Sequence, residues 1–194
     1  MREPENICAV ESLGIDLMGF IFWDRSARSV TVRPDYLPAK AKRVGVFVDE
    51  DIERVRQIAA DYSLDFIQLH GNESPEYCAG LNGYRLIKAF NIAVADDFLK
   101  TDDYADVVDI FLFDTKGKSV GGNGVKFDWS ILDSYNGQTP FLLSGGIGPD
   151  DAESVNAFHH NKCIGIDLNS RFEVSPGLKD INKLRTFIQK LDRQ

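Results

Sequence analysis

Basic residues are in short supply: 22 Lys and Arg stand against 30 Asp and Glu, a net charge of −8. Such a chain has no general attraction for nucleic acid or for an anionic membrane, so neither is expected as a partner, and only a local cationic site for a small anion stays open. Long apolar runs are lacking as well. None approaches the roughly 20 residues that a membrane-spanning helix requires, and the opening MREPENICAVESLG is too acidic and polar for a secretory signal. The cytosol is the expected location. Cysteine is limited to Cys8, Cys78 and Cys163, an odd number without CxxC spacing, which suggests neither a disulfide framework nor a zinc site. Each is expected to be a small buried apolar residue. His70, His159 and His160 offer no metal-ligand spacing, so no metal is expected. No GxGxxG follows an early strand, which disfavours a dinucleotide fold. Linkers and low-complexity tracts are missing too. With 194 residues, of which 43% are apolar, the chain is expected to form one domain over 1–194 around one core.

What is present is alternation. Apolar spacing predicts a helix over Pro4–Leu13, a strand over Ile15–Phe22, a short helix over Pro34–Ala41 and a strand over Arg43–Val48. A helix over Asp51–Ala60, a strand over Asp65–His70, a helix over Pro75–Leu81 and a strand over Arg85–Phe90 follow. A weak helical stretch near Asp96–Lys100 precedes the strand Val107–Phe113, and Asp128–Leu132 opens a helix. The last third holds a strand over Phe141–Ser144, a helix over Pro149–Phe158, a strand over Cys163–Leu168 and an amphipathic helix over Leu178–Leu191. Repeated βα units of this kind spell a parallel sheet, either open and doubly wound or closed as a barrel. Without the dinucleotide fingerprint the barrel is preferred, but only seven strands are present and the chain opens on a helix. The expected fold class is therefore α/β, a TIM (β/α)₈ barrel lacking its first strand. Its exposed edges would be the strands at Ile15–Phe22 and Cys163–Leu168, and pairing of two copies through them would make a homodimer.

Two regions carry chemistry. Val107–Phe113 is a continuous apolar run that ends at Asp114, and Gly117, Gly121, Gly122 and Gly124 follow in a loop able to fold over a ligand. A carboxylate at the carboxyl end of a buried strand serves as a general acid or caps the next helix, and both readings stand. In LLSGGIGPDD, Ser144, Gly145 and Gly146 end a strand; in GIDLNSRFE, Asp167, Asn169, Ser170 and Arg171 end the next. Paired turns after the last two strands of a barrel commonly hold phosphate through backbone N–H groups.

Six fragments in order, GFIFWDRSARSV, RVGVFVDE, IQLHGNES, FLFDTKG with GGNGVKFDW, LLSGGIGPDD and GIDLNSRFE, resemble phosphoribosylanthranilate isomerase of tryptophan biosynthesis. That resemblance implies a cofactor-free (β/α)₈ barrel acting on a small sugar phosphate, an aminoaldose phosphate rearranged to its aminoketose isomer (Amadori rearrangement). It implies that Asp114 is the general acid that protonates the furanose ring oxygen. Arg28 matches the arginine that meets the anthranilate carboxylate, although a solvated loop arginine is its plain reading. Gly145, Gly146, Asn169 and Ser170 would surround the phosphate. Gln68 and His70 end an inner strand and would line the substrate site, with a structural histidine the alternative.

One part of the pattern is not matched. The family's general base is a cysteine near the end of the first strand, and Met1 corresponds to the position just after that motif. Cys8, placed on a helix in ENICAV, does not replace it. The expectation is a polypeptide of isomerase lineage that turns over poorly. Other phosphate-binding barrel enzymes, a binding module without catalysis, and an interaction surface built on open sheet edges are the competing readings.

Overall fold

The structure, a computed structural model, describes residues 1–115 and 129–191. Seven strands form one parallel sheet: β1 (Leu17–Ile21), β2 (Lys42–Phe47), β3 (Phe66–Leu69), β4 (Arg85–Asn91), β5 (Ile110–Asp114), β6 (Phe141–Ser144) and β7 (Cys163–Ile166). They are neighbours in chain order from first to last. Doubly wound sheets reverse their strand order at a switch point, and an order that never reverses is that of a sheet curling toward a barrel.

Helix α1 (Pro4–Glu11) precedes the sheet, α2 (Ile52–Tyr62), α3 (Pro75–Gly80) and α4 (Ala152–Ala157) join its strands and α5 (Ile181–Lys190) follows it, with 3₁₀ turns at Ala95–Tyr104, Trp129–Ser134 and Ser170–Phe172. Their starts follow from sequence chemistry. Proline occupies the first turn of α1 and α3, where a missing N–H costs nothing. Asp51 accepts from the amides of Glu53 and Arg54, Ser74 from Tyr77, and Asp180 from Asn182 and Lys183. Among the described residues no helix is long and apolar enough to cross a membrane.

Strand alternation divides the apolar side chains into two layers. Val44, Phe66, Ile87, Ala89, Ile110, Leu112 and Leu142 pack together inside the curl, while Phe20, Phe47, Phe111, Phe113 and Phe141 join the larger cluster beneath the helices. β1 and β7 are the sheet's two edges.

Three expectations are corrected. Pro34–Ala41 forms no helix. Two prolines withhold donors there, and Glu11 claims the segment instead by accepting from Tyr36 Oη at 2.5 Å, Lys40 N at 2.6 Å and Ala41 N at 3.0 Å. The last helix begins at Ile181 rather than Leu178, because Glu173–Ser175 (β8) and Leu178–Lys179 (β9) pair as an antiparallel hairpin that turns at Gly177, φ 84°. Only Cys78 is buried: Cys8 is exposed and Cys163 half-buried. In α1 it is Ile7 and Val10 that face the core, and Cys163 lies on an edge strand. The expected glycine loop with Gly117, Gly121, Gly122 and Gly124, and the helix start at Asp128, lie outside the described residues.

Glu11 gives the fold an acid-sensitive clasp. Burial opposes its ionisation, but the Tyr36 hydroxyl and the amides of Lys40 and Ala41 outweigh it and hold the carboxyl at about 2. A carboxyl depressed in the folded state stabilises above its unfolded pKa, and that contribution fades as pH falls toward the folded value. Glu11→Gln is expected to lower stability at pH 7 by about 1–3 kcal/mol and to flatten the loss of stability between about pH 4.5 and pH 2. Urea midpoints of both proteins across that range check it; parallel curves would show that Glu11 plays no such part.

Candidate active site

Asp114 ends β5 in step with Ile110 and Leu112, both members of the inner cluster, so its carboxylate projects inside the curl and not toward the helices. Backbone register places Asn91, Asp114 and Ser144 side by side in one row. Ser144 Oγ extends that row by donating to Asp167 Oδ2 at 2.9 Å, beyond the end of β7. The turn after β6 is pressed against Asp114: a Cβ on Gly145 would lie 2.9 Å from Asp114 Oδ1 and 2.6 Å from Thr115 O. With φ of 103°, residue 145 tolerates only glycine. Gly146 follows at φ 67°. Among the described residues, the amides of Gly145 and Gly146, which lie outside the helices and strands, donate to no backbone carbonyl, so they are disposed to receive an anion.

From β3, Gln68 and His70 share the inward parity of Phe66. Gln68 Nε2 lies 3.0 Å from His70 Nδ1. With the amide donating, Nδ1 is bare and Nε2 carries the ring proton. Burial pushes the His70 pKa down; Asp114 and Asp167 oppose this, and Lys88 reinforces it. The ring is therefore neutral at pH 7 and offers a hydrogen bond without a charge.

Below the Asp114 row lies a cavity of about 1510 Å³, lined by Arg28, Gln68, His70, Asn169, Leu112 and Leu142 among others. Asp114, Gly145, Gly146 and Ser170 are not part of that lining. Asp114 and Ser144 stand one inward position above Leu112 and Leu142, at the carboxyl-terminal rim. The cavity also reaches Ile15 and Leu17 on one side and Ile164 and Ile166 on the other, which is the gap between the two sheet edges.

Arg28, in the loop after β1, is not the solvated arginine of its plain reading. Its Nε contacts both oxygens of Glu173, at 3.0 and 2.8 Å, and Nη2 donates to Glu173 Oε2 at 2.7 Å. Glu173 on β8 also accepts from Gly177 N at 3.2 Å and faces Lys179 Nζ at 3.4 Å. Burial disfavours the Glu173 anion, but Arg28, Lys179 and the Gly177 amide outweigh it and hold the carboxyl below its usual range. Sequence reasoning gave Glu173 no role and placed Lys179 in the expected helix over Leu178–Leu191; Pro176-Gly177 between two short runs was the available hairpin signal. It also missed a buried pair under the rim, Lys88 Nζ to Glu73 Oε2 at 3.2 Å, with side chains 3% and 1% exposed.

A curled parallel α/β sheet with its polar residues gathered at the carboxyl ends of the strands defines the class: a barrel-type enzyme whose site lies where such folds keep them. Residues 2–190 match the family model of N-(5'-phosphoribosyl)anthranilate (PRA) isomerase. The chain is 54% identical to N-(5'-phosphoribosyl)anthranilate isomerase of Parabacteroides distasonis, over 98% of this chain and 90% of that one. Against the enzyme of the same name from Phocaeicola vulgatus it is 48% identical, over 100% and 96%. A crystal structure of phosphoribosyl anthranilate isomerase from Thermotoga maritima superposes with a TM-score of 0.81 at 29% identity, covering 98% of this chain and 94% of that one. A phosphoribosyl anthranilate isomerase in complex with reduced 1-(o-carboxyphenylamino)-1-deoxyribulose 5-phosphate superposes with a TM-score of 0.79 at 27% identity, covering 98% and 97%. The chain belongs to the phosphoribosylanthranilate isomerase family, isomerases of tryptophan biosynthesis.

Proposed function

We propose that this chain binds N-(5'-phosphoribosyl)anthranilate at the rim and that Asp114 is the general acid of its Amadori rearrangement to the aminoketose phosphate. The placement of Asp114 carries the reading: an inward carboxylate, on the same rim as the two phosphate-type turns and against Gly145. Protonation of the furanose ring oxygen by Asp114 opens the sugar to a Schiff base. Removal of the C2 proton then gives the enol amine, which becomes the ketone. Gly145, Gly146, Asn169 and Ser170 take the phosphate, Arg28 takes the anthranilate carboxylate, and Gln68 with neutral His70 flanks the sugar.

The step at C2 needs a base, and among the described residues no cysteine is placed for it. Cys8 is exposed on α1, Cys78 is buried on α3, and Cys163 opens β7 at the end away from the rim. We read the gap between β1 and β7 as the seat of the first strand of a (β/α)₈ barrel, which carries that cysteine in the family resemblance. The 194-residue polypeptide, assayed by itself, is expected to turn over at least about a hundredfold more slowly than one given an added amino-terminal strand with the cysteine. Equal rates would remove the cysteine from the mechanism. In the 194-residue polypeptide without an added strand, the same two edges, with Ile164 of β7 55% exposed, are where we place a contact with a second copy; a related Thermotoga maritima structure is of monomers generated from a dimeric phosphoribosylanthranilate isomerase.

A further inference from the structure

A guanidinium has two carboxylate-binding edges: a side edge formed by Nε and one terminal nitrogen, and an end formed by both terminal nitrogens. In Arg28 the side edge is occupied. Nε and Nη2 grip the Glu173 carboxylate, while Nη1 meets no acceptor among the described residues. The end of the fork is thereby left for a second carboxylate.

Glu173 is itself held. It lies almost wholly buried on β8, with its side chain 5% exposed, and Lys179 of β9 faces it. Asn6 of α1 clamps β9, donating from Nδ2 to Lys179 O at 2.9 Å and accepting from Lys179 N at 2.8 Å. Lys179 Nζ also donates to Asn169, to O at 3.1 Å and to Oδ1 at 2.9 Å. One chain of contacts thus runs from α1 through the hairpin to Arg28, and a branch of it reaches the turn after β7. A flexible loop arginine loses rotamer entropy when it engages a ligand, and a partner that fixes it beforehand removes that cost.

We propose that Glu173 is a positioning and specificity-setting residue, which takes the side edge of Arg28 so that its free end selects ligands bearing an aryl carboxylate. This deepens the reading of Arg28 given above and rests on it. Substituting Glu173 releases the guanidinium into several orientations, so the carboxylate loses its seat while the phosphate keeps its own.

The test is calorimetry on the full chain with two probes: reduced 1-(o-carboxyphenylamino)-1-deoxyribulose 5-phosphate and the same compound without its carboxylate. The readout is the ratio of the two affinities. In Glu173→Gln that ratio is expected to fall about tenfold, the value of one well-placed charged hydrogen bond, with affinity for the probe lacking the carboxylate unchanged. Glu173→Asp keeps the charge but withdraws the carboxylate by one methylene, and it answers the same question should the glutamine variant not fold. A merely structural role would weaken both probes equally. Equal weakening, or a folded variant that keeps the parent ratio, overturns the proposal. A parent protein that binds both probes equally would overturn the Arg28 reading itself, a separate failure visible before any substitution is made.

Discussion

Asp114→Asn is expected to lower kcat by at least about a hundredfold, the ordinary contribution of a positioned general acid, while binding of the reduced product analogue changes little. The amide has nearly the shape of the carboxyl, so the inward row of Asn91, residue 114 and Ser144 and the close approach of Gly145 are kept. What is lost is a proton to give to the ring oxygen. A change confined to kcat marks a group that acts in the transition state rather than in ground-state binding. The comparison belongs in whichever form turns over faster, the polypeptide alone or the form with an added first strand. A variant that retains the parent kcat would return Asp114 to its alternative role as a strand-end cap.

The second large effect is on stability. Lys88 lies on the outer side of β4, almost wholly buried, and its ammonium sits within hydrogen-bond distance of Leu69 O, Gly71 O, Glu73 Oε2 and Ala89 O, more acceptors than its three N–H groups can each take singly. Glu73 in turn accepts from the amides of Asp49 and Gly71. The pair therefore ties the loops after β2 and β3 together directly behind His70. Lys88→Met leaves a carboxylate buried without its cation, and removal of one member of such a pair commonly costs about 3–5 kcal/mol. Exchanging both members for apolar residues of similar volume is often close to neutral, so Lys88→Met with Glu73→Met is expected to recover most of the loss. Urea unfolding of the three proteins measures this; a double variant no more stable than the single one would show that Glu73 matters for its amide contacts and not for Lys88.

Element order was legible because the punctuation is local. Pro4 and Pro75 open first turns, Asp51 stands at the start of an expected helix, and the apolar runs at Phe141–Ser144 and Arg85–Phe90 have strand length, whereas Asp180 caps α5 from inside a stretch that local spacing assigns to the helix itself. The inward direction of Asp114, Gln68 and His70 follows from counting alternate residues along their strands. What failed to show was non-local. Glu11 reaches across 29 positions to Lys40 and unmakes a helix that local spacing favours. Glu173 meets Arg28 across 145 positions, so the partner that changes the arginine's meaning exists only once the sheet has curled. Lys88 reads as a charge in the middle of a largely apolar strand, and nothing short of the fold says that Glu73 answers it.

The most direct test of the whole account is a crystal structure of this chain with reduced 1-(o-carboxyphenylamino)-1-deoxyribulose 5-phosphate bound. The phosphate is expected on the backbone of Gly145–Gly146 and Asn169–Ser170, the aryl carboxylate on the free end of Arg28, and the Asp114 carboxyl within hydrogen-bond reach of the sugar. A phosphate seated anywhere else on the sheet, or an Asp114 turned away from the ligand, would contradict it.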